Sequence, residues 1–300
     1  MKKYIIIAAL ISSAVSAFAQ QLQSSSFYEM HSLLHNPSSA GVIMEEGKKA
    51  IIGVTYKTQW SAISGAPQTI TAFGSFNLPK QKIGIGGYLY NDKTGPTSRT
   101  GVNLSFAKHI VFNDDAVFSL GLESRFMQYN INRAKLTSTL GADPALGSND
   151  NRFKYDAGFG LSYTNKKLQI GASVSQLVQS KLDYYKGNMP LSEEARLYRH
   201  FYAHGKYTWD VDGISTITPH ALIIYLPNAP VEFQSGARYE YNKLVSFGVG
   251  YRMRQNVMLT AGLKFKNNFT LNYAYDSYNT PISQFDAGNS AHEILLSYSF

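Results

Sequence analysis

The sequence of 300 residues contains no cysteine, which excludes disulfides, thiolate metal sites, iron–sulfur clusters and a cysteine nucleophile. Charged residues make up only 16% of the chain, against about 25% in ordinary soluble domains. Beyond residue 20 no apolar run reaches the about 18 residues of a membrane-spanning helix. Aromatic residues reach 13%, and together with the low charge they exclude intrinsic disorder. This composition favours something other than a soluble domain.

The first residues have the pattern of an export signal. Lys2 and Lys3 precede an apolar run from Tyr4 to Val15, and Ala17-Phe18-Ala19 has the small residues of a signal-peptidase site. The run is shorter than the about 20 residues that a spanning helix needs. We therefore expect residues 1–19 to be a signal peptide. No cysteine follows the predicted cleavage site, so a lipoprotein anchor is not expected.

The rest of the chain alternates between apolar and polar residues with a period of two. From Val245 to Met253, for example, every odd position is apolar and every even position is Ser, Gly or Arg. Such alternation predicts strands with one apolar and one polar face, and segments of about 9–11 residues fit tilted strands that cross a bilayer. Aromatic pairs at strand ends predict interfacial girdles: Tyr88/Tyr90, Tyr184/Tyr185, Tyr207/Trp209 and Tyr273/Tyr275.

Fourteen segments fit this pattern, and an even number is expected of a bacterial outer-membrane barrel. We predict an all-β, antiparallel transmembrane barrel over residues 49–300, with residues 20–48 as a periplasmic plug segment that folds into the lumen. Pro219 lies inside the predicted strand 214–226, where we expect a bulge or a shorter strand. Short turns alternate with longer connections, which predicts periplasmic turns and external loops. The longer connections are 59–67, 92–98, 131–151, 178–198 and 277–290.

No residue pattern in the chain indicates catalysis, a cofactor or a metal. His200 and His204 have a spacing that chelates only on a helix, because four residues of a strand span about 13 Å. Glu193 and Glu194 share a predicted loop region with His200, but no nucleophile motif accompanies them. An outer-membrane hydrolase is therefore a remote alternative. The dispersed Lys and Arg residues do not predict nucleic-acid binding and fit lipopolysaccharide phosphates better.

Three sets of loop residues stand out along the chain. They are Asn36-Pro37-Ser38-Ser39-Ala40-Gly41, Gln59-Trp60 with Gly65-Ala66-Pro67, and Asn91-Asp92-Lys93 with Gly95-Pro96-Thr97 and Arg99-Thr100-Gly101. This ordered set resembles the PorP/SprF family of outer-membrane proteins, which serves type IX secretion and gliding motility in Bacteroidota. The resemblance covers essentially the whole mature chain, although Ser38 stands where the family usually has Ala. It implies a barrel without enzymatic activity.

Chemically, these motifs are typical of rigid loops. The prolines lock φ, the glycines permit turn conformations, and Asn36 and Asp92 can bond to the backbone that follows them. Arg99 is predicted to pair with Asp92, and Trp60 is either an interfacial girdle residue or a partner contact. The predicted structural residues are Asn36, Pro37, Gly41, Gly65, Pro67, Asp92, Gly95, Pro96 and Arg99.

The resemblance also implies partners. These are a large secreted protein with a type IX C-terminal sorting domain, a periplasmic OmpA-like or other type IX component, and outer-membrane lipid. The long loops carry aromatic and cationic residues suited to docking a folded protein domain, although they could equally close the barrel mouth. The alternative function is a passive channel or a transporter of hydrophobic solutes. The candidate partner contacts are Trp60, Lys181, Tyr184, Tyr185 and Lys186.

Overall fold

The computed structural model describes residues 24–43, 47–113, 116–132, 135, 150–181, 196–227, 229–266 and 268–300. Within these ranges, fifteen strand segments form one sheet. No helix in the described ranges is both long and apolar enough to cross a membrane. The segments are β1 (Ala50–Gln59), β2 (Gln68–Leu78), β3 (Ile83–Thr94), β4 (Thr97–Asn113), β5 (Ala116–Ile131), β6 (Asp150–Asn165), β7 (Leu168–Ser175), β8 (His200–Tyr207), β9 (Trp209–Asp210), β10 (Ser215–Tyr225), β11 (Glu232–Tyr241), β12 (Val245–Arg252), β13 (Asn256–Phe265), β14 (Phe269–Tyr278) and β15 (Ala291–Ser299).

The sheet is antiparallel and closes on itself. β1 pairs with β15, and β10 pairs with both β8 and β11, so the ring of strands is complete. β8 and β9 lie end to end against β10 and occupy one position in the ring, which makes a barrel of fourteen strands. The predicted barrel, its even strand number and its outer-membrane location are confirmed.

The strands direct most of their apolar side chains outward and mainly small or polar side chains into the lumen. In β12, Phe247 and Val249 are more than half exposed on the outer surface, whereas Arg252 is buried inside. The outward band belongs in the lipid, where backbone polar groups must be satisfied by the strand ladder itself. The alternation in the sequence therefore corresponds to an apolar outer face and a mainly polar inner face, as predicted.

The prediction that Tyr88 and Tyr90 belong to an interfacial girdle is wrong. Tyr88 and Tyr90 are each only 6% exposed and point into the lumen. In β3 the outward positions are those of Ile85 and Leu89, so the two tyrosines share the inner face with glycines. Tyr207 and Trp209 are exposed near the turn that follows β9, as predicted for a girdle.

Pro219 causes neither a bulge nor a shorter strand, which corrects the prediction. It keeps regular register with Ala237 of β11 inside the full-length β10. The break in strand pairing lies on the neighbouring strand instead. There Thr208 separates β8 from β9, and both keep the same register against β10. A proline offers no N–H to a neighbouring strand, so the ladder is interrupted opposite it while β10 continues.

The second external connection is tighter than the predicted loop 92–98. β3 and β4 extend to Thr94 and Thr97, so only Gly95 and Pro96 form the turn. β4, β5 and β6 are the longest strands of the described barrel. This side of the barrel therefore extends further toward the loops than the others.

Candidate functional site: the occupied lumen and the loop rim

Residues 24–43 lie inside the barrel and are buried along most of their length. This confirms the prediction that the N-terminal segment folds into the lumen. Its direction, however, differs from the expected start on the turn side. Ser24 lies near the loop ends, where Lys57 of β1 and Arg252 of β12 donate to it at 3.3 and 3.4 Å. The strand order determines only where the segment joins β1, and the path before that point depends on its contacts with the wall.

A buried charge cluster anchors the start of this segment. Lys57 Nζ lies 2.9 Å from Asp276 Oδ2 and 3.6 Å from Glu293 Oε2. The Ser26 amide donates to Glu293 at 2.7 Å, and the Ser26 hydroxyl donates to Asp276 at 2.8 Å. The Ser25 hydroxyl donates to Glu293 at 2.6 Å. Because buried charges are costly unless they are paired and hydrogen-bonded, these contacts join the segment to three strands.

A second cluster holds the segment deeper in the lumen. Arg238 Nε lies 2.9 Å from the carboxylate of Glu29, and Lys206 donates to the Glu29 carbonyl at 2.9 Å. The Tyr28 hydroxyl lies 2.8 Å from His220 Nδ1. Burial opposes ionisation of Glu29, but Arg238, Lys206 and His220 outweigh it and hold the pKa of Glu29 below its ordinary value. Glu29 is thus a buried, ionised carboxylate that pairs with a charged residue of the barrel wall.

Two buried histidines of the segment are held neutral. Burial lowers the pKa of His31 to about 4, and its ring packs against Phe73 with centroids 4.2 Å apart. Burial, with the neighbouring His204 and Lys206, lowers the pKa of His35 well below its ordinary value. The His35 and His204 rings meet edge to face with centroids 4.9 Å apart. Neutral imidazoles therefore form part of the packed interface at pH 7.

The Asn36–Gly41 motif forms a tight turn, consistent with the rigid loop that its sequence predicts, and this turn lies against the inner wall. Asn36 Oδ1 accepts from the amide of Ser38 at 3.0 Å and from its hydroxyl at 2.7 Å. Asn36 Nδ2 donates to the Leu161 carbonyl at 3.1 Å, so one amide group ties the turn both to itself and to β6. Pro37 opens a 3-10 turn, and Gly41 ends the motif with a φ of 73°. The motif is thus a docking element for the lumen wall.

Glycines on the wall make room for this turn. A methyl group at Gly84, Gly121 or Gly160 would overlap backbone or side-chain atoms of Ala40, Ser38 or Asn36 respectively. Glycine is therefore required for the close approach of two backbones, as expected where a strand glycine faces another chain segment. On this wall the three glycines accommodate the N-terminal turn.

Small cavities remain on both sides of the segment. One of about 50 Å³ is lined by polar and aromatic groups that include Tyr88, Arg125 and Tyr202. A larger one of about 260 Å³ lies on the turn side, between Val42 and Ile43 of the segment and the cross-strand pair Val111 and Val117. The segment separates these two cavities.

The remaining family motifs meet at the loop rim. Arg99 forms the predicted ion pair with Asp92 at 3.0 Å, and its guanidinium lies 5.7 Å from the centre of the Tyr90 ring. Asp92 accepts from the Thr69 hydroxyl at 2.9 Å rather than from the backbone that follows it. Gly65 and Gly95 both have positive φ, and the Gly95 amide donates to the Gly65 carbonyl at 2.8 Å. The first two loops are thereby linked.

Other rim contacts complete the connection. The Pro67 carbonyl accepts from Gln59 at 3.0 Å, and the Pro96 carbonyl accepts from Asn132 at 2.8 Å. Trp60 is half-buried and packs edge-on against Tyr278, with ring centroids 5.3 Å apart. Trp60 thus joins the first loop to the end of β14. Trp60 therefore packs against Tyr278 while part of its side chain remains accessible.

The candidate partner contacts fall in different parts of the molecule. Lys181 forms an isolated bridge with Arg196, beyond the end of β7. Trp60 lies with the loops near Tyr278. Tyr184, Tyr185 and Lys186 lie outside the described residues, as do the predicted signal peptide and Glu193 and Glu194.

The two histidines weighed as metal ligands have separate environments. His200 Nδ1 lies 3.0 Å from Gln176 Oε1, whereas His204 Nε2 lies 3.0 Å from Asn36 Nδ2. The described residues contain no group of three or more His, Cys, Asp and Glu side chains placed to share a metal ion.

The sequence matches the family described as type IX secretion system membrane protein PorP/SprF over residues 16–298. The chain belongs to the PorP/SprF family. Its Asn36–Gly41 motif and its rim motifs are therefore the docking element and the loop links of a PorP/SprF barrel. Among the curated proteins, none matches this PorP/SprF sequence.

Solved structures share the architecture at low sequence identity. The toluene transporter TbuX of Ralstonia pickettii superposes with a TM-score of 0.53 at 9% identity, covering 89% of this chain and 92% of its own. The CymD monoaromatic hydrocarbon channel has a TM-score of 0.52 at 11% identity, covering 90% and 91%. The outer membrane protein Omp33 of Acinetobacter baumannii has a TM-score of 0.50 at 7% identity, covering 84% and 98%. At these identities the similarity supports the PorP/SprF barrel fold alone.

The sequence did not single out the charged residues that hold the N-terminal segment. Except for Glu29, which belongs to the N-terminal segment, they are isolated charges on the polar faces of predicted strands, which is the signal that could have marked them as lumen residues. Which charges meet depends on the register of strands far apart in the chain. The residues concerned are Glu29, Lys57, Lys206, Arg238, Asp276 and Glu293.

Proposed function

We propose that this barrel is a non-enzymatic docking protein of the type IX secretion system. It binds the C-terminal sorting domain of a large secreted protein at the outer face of the membrane, and so supports secretion and surface attachment of adhesins, including those used in gliding. Membership of the PorP/SprF family supports the assignment to the secretion system.

The observation that favours docking over transport is the occupied lumen. Residues 24–43 fill the barrel and are held by two buried charge clusters and by the Asn36 turn. Releasing them would break the hydrogen bonds that Ser25 and Ser26 donate to Asp276 and Glu293, and the ion pair of Arg238 with Glu29. A partner that binds a closed barrel meets it at the surface, where the loop rim is rigid and accessible.

The residues proposed for the partner are Trp60, Lys181, Tyr184, Tyr185 and Lys186. Aromatic and cationic side chains are typical contacts in protein interfaces and would suit an acidic or neutral domain. We expect charge reversal at Lys181 and Lys186, combined with Ala at Tyr184 and Tyr185, to weaken capture of a purified sorting domain. Heat-modifiable mobility on gels should show normal barrel assembly. Undiminished capture by the assembled quadruple variant would contradict this location and favour the turn side near Asp210 to Gly213.

A periplasmic component is the proposed partner on the turn side. The cavity lined by Val42, Ile43, Val111 and Val117 opens there and offers an apolar contact for it. Replacing Val111 and Val117 with Asp should then reduce co-purification of type IX periplasmic components and leave sorting-domain capture unchanged. The reverse pattern would argue against a periplasmic contact at this mouth.

The second candidate function is transport of small or hydrophobic solutes. Its support is the likeness to barrels described as a toluene transporter and a monoaromatic hydrocarbon channel, together with the turn-side cavity of about 260 Å³. Liposome swelling with purified protein separates the two functions. Solute entry at the background rate fits the docking function, whereas brisk entry through the wild-type barrel would favour transport.

A further inference from the structure

Among the described residues, no strand pairs with the external end of β6 on the side away from β5, and only the Ser180 hydroxyl reaches this edge, where it donates to the Tyr155 carbonyl. β7 pairs with β6 only from Gly158 to Thr164, whereas β5 pairs with β6 along its whole length. The Leu177 amide donates to the Ala157 carbonyl at 3.0 Å, so odd-numbered residues of β6 point their backbone groups away from β5. Within the described ranges, the backbone groups of Asn151 and Phe153 on this edge have no partner.

Aromatic side chains lie beside this edge on the outer surface. Phe153 is 68% exposed and Tyr155 is 44% exposed. Both lie against Phe126 of β5, with ring centroids 6.3 and 5.3 Å away. The opposite, inward face of the same hairpin is covered by Leu197, which packs on Met127. The apolar surface is therefore one-sided and faces away from the lumen.

The strand register shows that this surface stands above the membrane. Tyr56 is the last exposed apolar side chain on the outer face of β1, which marks the external limit of the lipid band there. A row of directly paired residues leads around the barrel from Tyr56 through Ile70, Asn91, Thr100 and Gln128 to Phe153. In the other direction the row of paired residues ends at Trp209, which lies beside a periplasmic turn. Along the barrel axis the row therefore climbs from the periplasmic end toward the external end as it approaches Phe153.

The rise is large enough to exclude acyl chains as the neighbours of Phe153. Strands about 4.8 Å apart and tilted by roughly 35–45° raise such a row by about 3 Å at each strand. Five steps between neighbouring strands lead from Tyr56 to Phe153, so Phe153 stands roughly 15 Å higher along the barrel axis. The polar headgroup layer adds only about 5–8 Å beyond the hydrocarbon. An apolar group at that height meets protein rather than lipid tails.

We propose that the edge of β6 from Asn151 to Tyr155 receives an extended strand of the secreted partner's sorting domain. The added strand pairs its backbone with Asn151 and Phe153 and packs apolar side chains on Phe126, Phe153 and Tyr155. An unpaired strand edge beside exposed aromatics is the arrangement that strand-addition interfaces use, with backbone bonds for affinity and side chains for specificity. This inference rests on the proposed docking function and adds a strand edge to the loop residues proposed for the same partner.

Replacing Phe153 with proline tests the backbone part of this interface. The Phe153 amide points away from β5, so Phe153→Pro removes an edge donor without removing a bond of the β5–β6 ladder. We expect the purified sorting domain of one type IX cargo from the same cell to bind this variant at least tenfold more weakly. Phe153→Tyr should bind within twofold of wild type. Unchanged affinity in an assembled Phe153→Pro barrel would overturn the proposal.

A second pair of variants tests the aromatic surface without altering the backbone. Phe285 is 78% exposed in the connection between β14 and β15, which makes it a matched control for Phe153. Phe153→Ala should weaken binding at least tenfold, and Phe285→Ala should change it less than twofold. Equal effects of the two substitutions would contradict a specific site on β6. A wild-type barrel that binds no sorting domain would instead overturn the docking function together with this inference.

Hydrogen exchange distinguishes strand addition from coverage of the edge by the chain itself. In the free barrel the amides of Asn151 and Phe153 should exchange rapidly, and the bound sorting domain should slow them at least tenfold. Ser246, paired within the ladder on the far side of the barrel, should be unaffected. Slow exchange of Asn151 and Phe153 in the free protein would show an edge already paired internally and would overturn the proposal.

Discussion

At the scale of single residues, a few inward glycines decide how closely the N-terminal segment approaches the wall. Gly160 faces the side chain of Asn36, and Gly121 faces the backbone of Ser38. A side chain at either position would occupy space that the turn already fills. The docking of the motif therefore depends on the absence of side chains at these wall positions as well as on the motif itself.

Gly160→Ala should loosen the docked segment. The added methyl overlaps Asn36, and such overpacking typically costs about 1–3 kcal/mol. We expect the midpoint of thermal unfolding, followed by heat-modifiable mobility, to fall by about 2–8 °C. Gly205→Ala is the matched control, because the nearest atom to its new methyl lies at an ordinary 3.4 Å. Equal midpoints for the two variants would contradict a close fit at Gly160.

Asn36→Ala should destabilise the barrel by removing a buried hydrogen-bonding hub. Its side chain satisfies Ser38 and the Leu161 carbonyl, and leaving buried partners unsatisfied costs about 1–3 kcal/mol. Chemical unfolding of the refolded barrel measures the loss. Ser32→Ala, in a half-buried position of the same segment, is the control and should have less than half the effect.

At the scale of the element, the N-terminal segment combines neutral histidines with an ionised glutamate. Burial lowers the pKa of His31 to about 4, so the docked segment binds fewer protons than the released one once the pH falls below about 6.5. The pKa of Glu29 is held below its ordinary value, so protonation of Glu29 also reduces the stability of the docked segment, at still lower pH. Because the released form takes up more protons in both cases, acid weakens docking.

Acidification from pH 7.5 to pH 5 should therefore destabilise the docked segment. The His31 contribution alone is about 2 kcal/mol at pH 5, taking about 6.5 as its pKa in the released form. We expect higher single-channel conductance in planar bilayers at pH 5 than at pH 7.5. His31→Phe with His35→Gln should reduce this pH dependence. A wild-type conductance that is equal at both pH values would contradict the linkage.

Deleting residues 24–41 should empty the lumen. The charges of Lys57, Asp276, Arg238 and Lys206 then meet water instead of the segment, so the barrel should conduct ions several-fold better and unfold at a lower temperature. Bilayer conductance and thermal midpoints measure the two effects. Conductance like that of wild type would show that other residues close the lumen.

At the scale of the whole molecule, the barrel has two different faces. Short turns lie at one end, with Asp212 accepting from the Ser215 amide in the turn after β9. The long connections and the projecting strands β4, β5 and β6 lie at the other end. In outer-membrane barrels short turns are periplasmic and long loops external, so the proposed sorting-domain surface faces the cell exterior.

The absence of cysteine makes this orientation directly measurable. A single cysteine at Phe285, in an external connection, should react with a membrane-impermeant maleimide in intact cells. A single cysteine at Lys243, in the turn after β11, should react only after the outer membrane is broken. The reversed labelling pattern would invert the barrel and place the β6 edge in the periplasm.

The amino-acid sequence by itself determined the barrel, and it predicts the orientation that the labelling experiment would measure. Alternation with a period of two is a local property, because successive side chains of a strand point to opposite faces wherever the strand lies. Positions such as Phe247 and Arg252 can therefore be assigned to the lipid and the lumen from their neighbours alone. Turn chemistry is equally local, and the positive φ of Gly41, Gly65 and Gly95 matches what their sequence context predicts.

Only the tertiary structure decided what fills the lumen and which groups meet there. Lys57, Asp276 and Glu293 lie on three strands, and Ser26 reaches their cluster from a segment more than two hundred residues away from two of them. Such contacts depend on the closure and register of the whole ring, which no local pattern encodes. The path of the segment depends on the same ring, as where the Tyr88 hydroxyl donates to the Leu34 carbonyl at 3.2 Å.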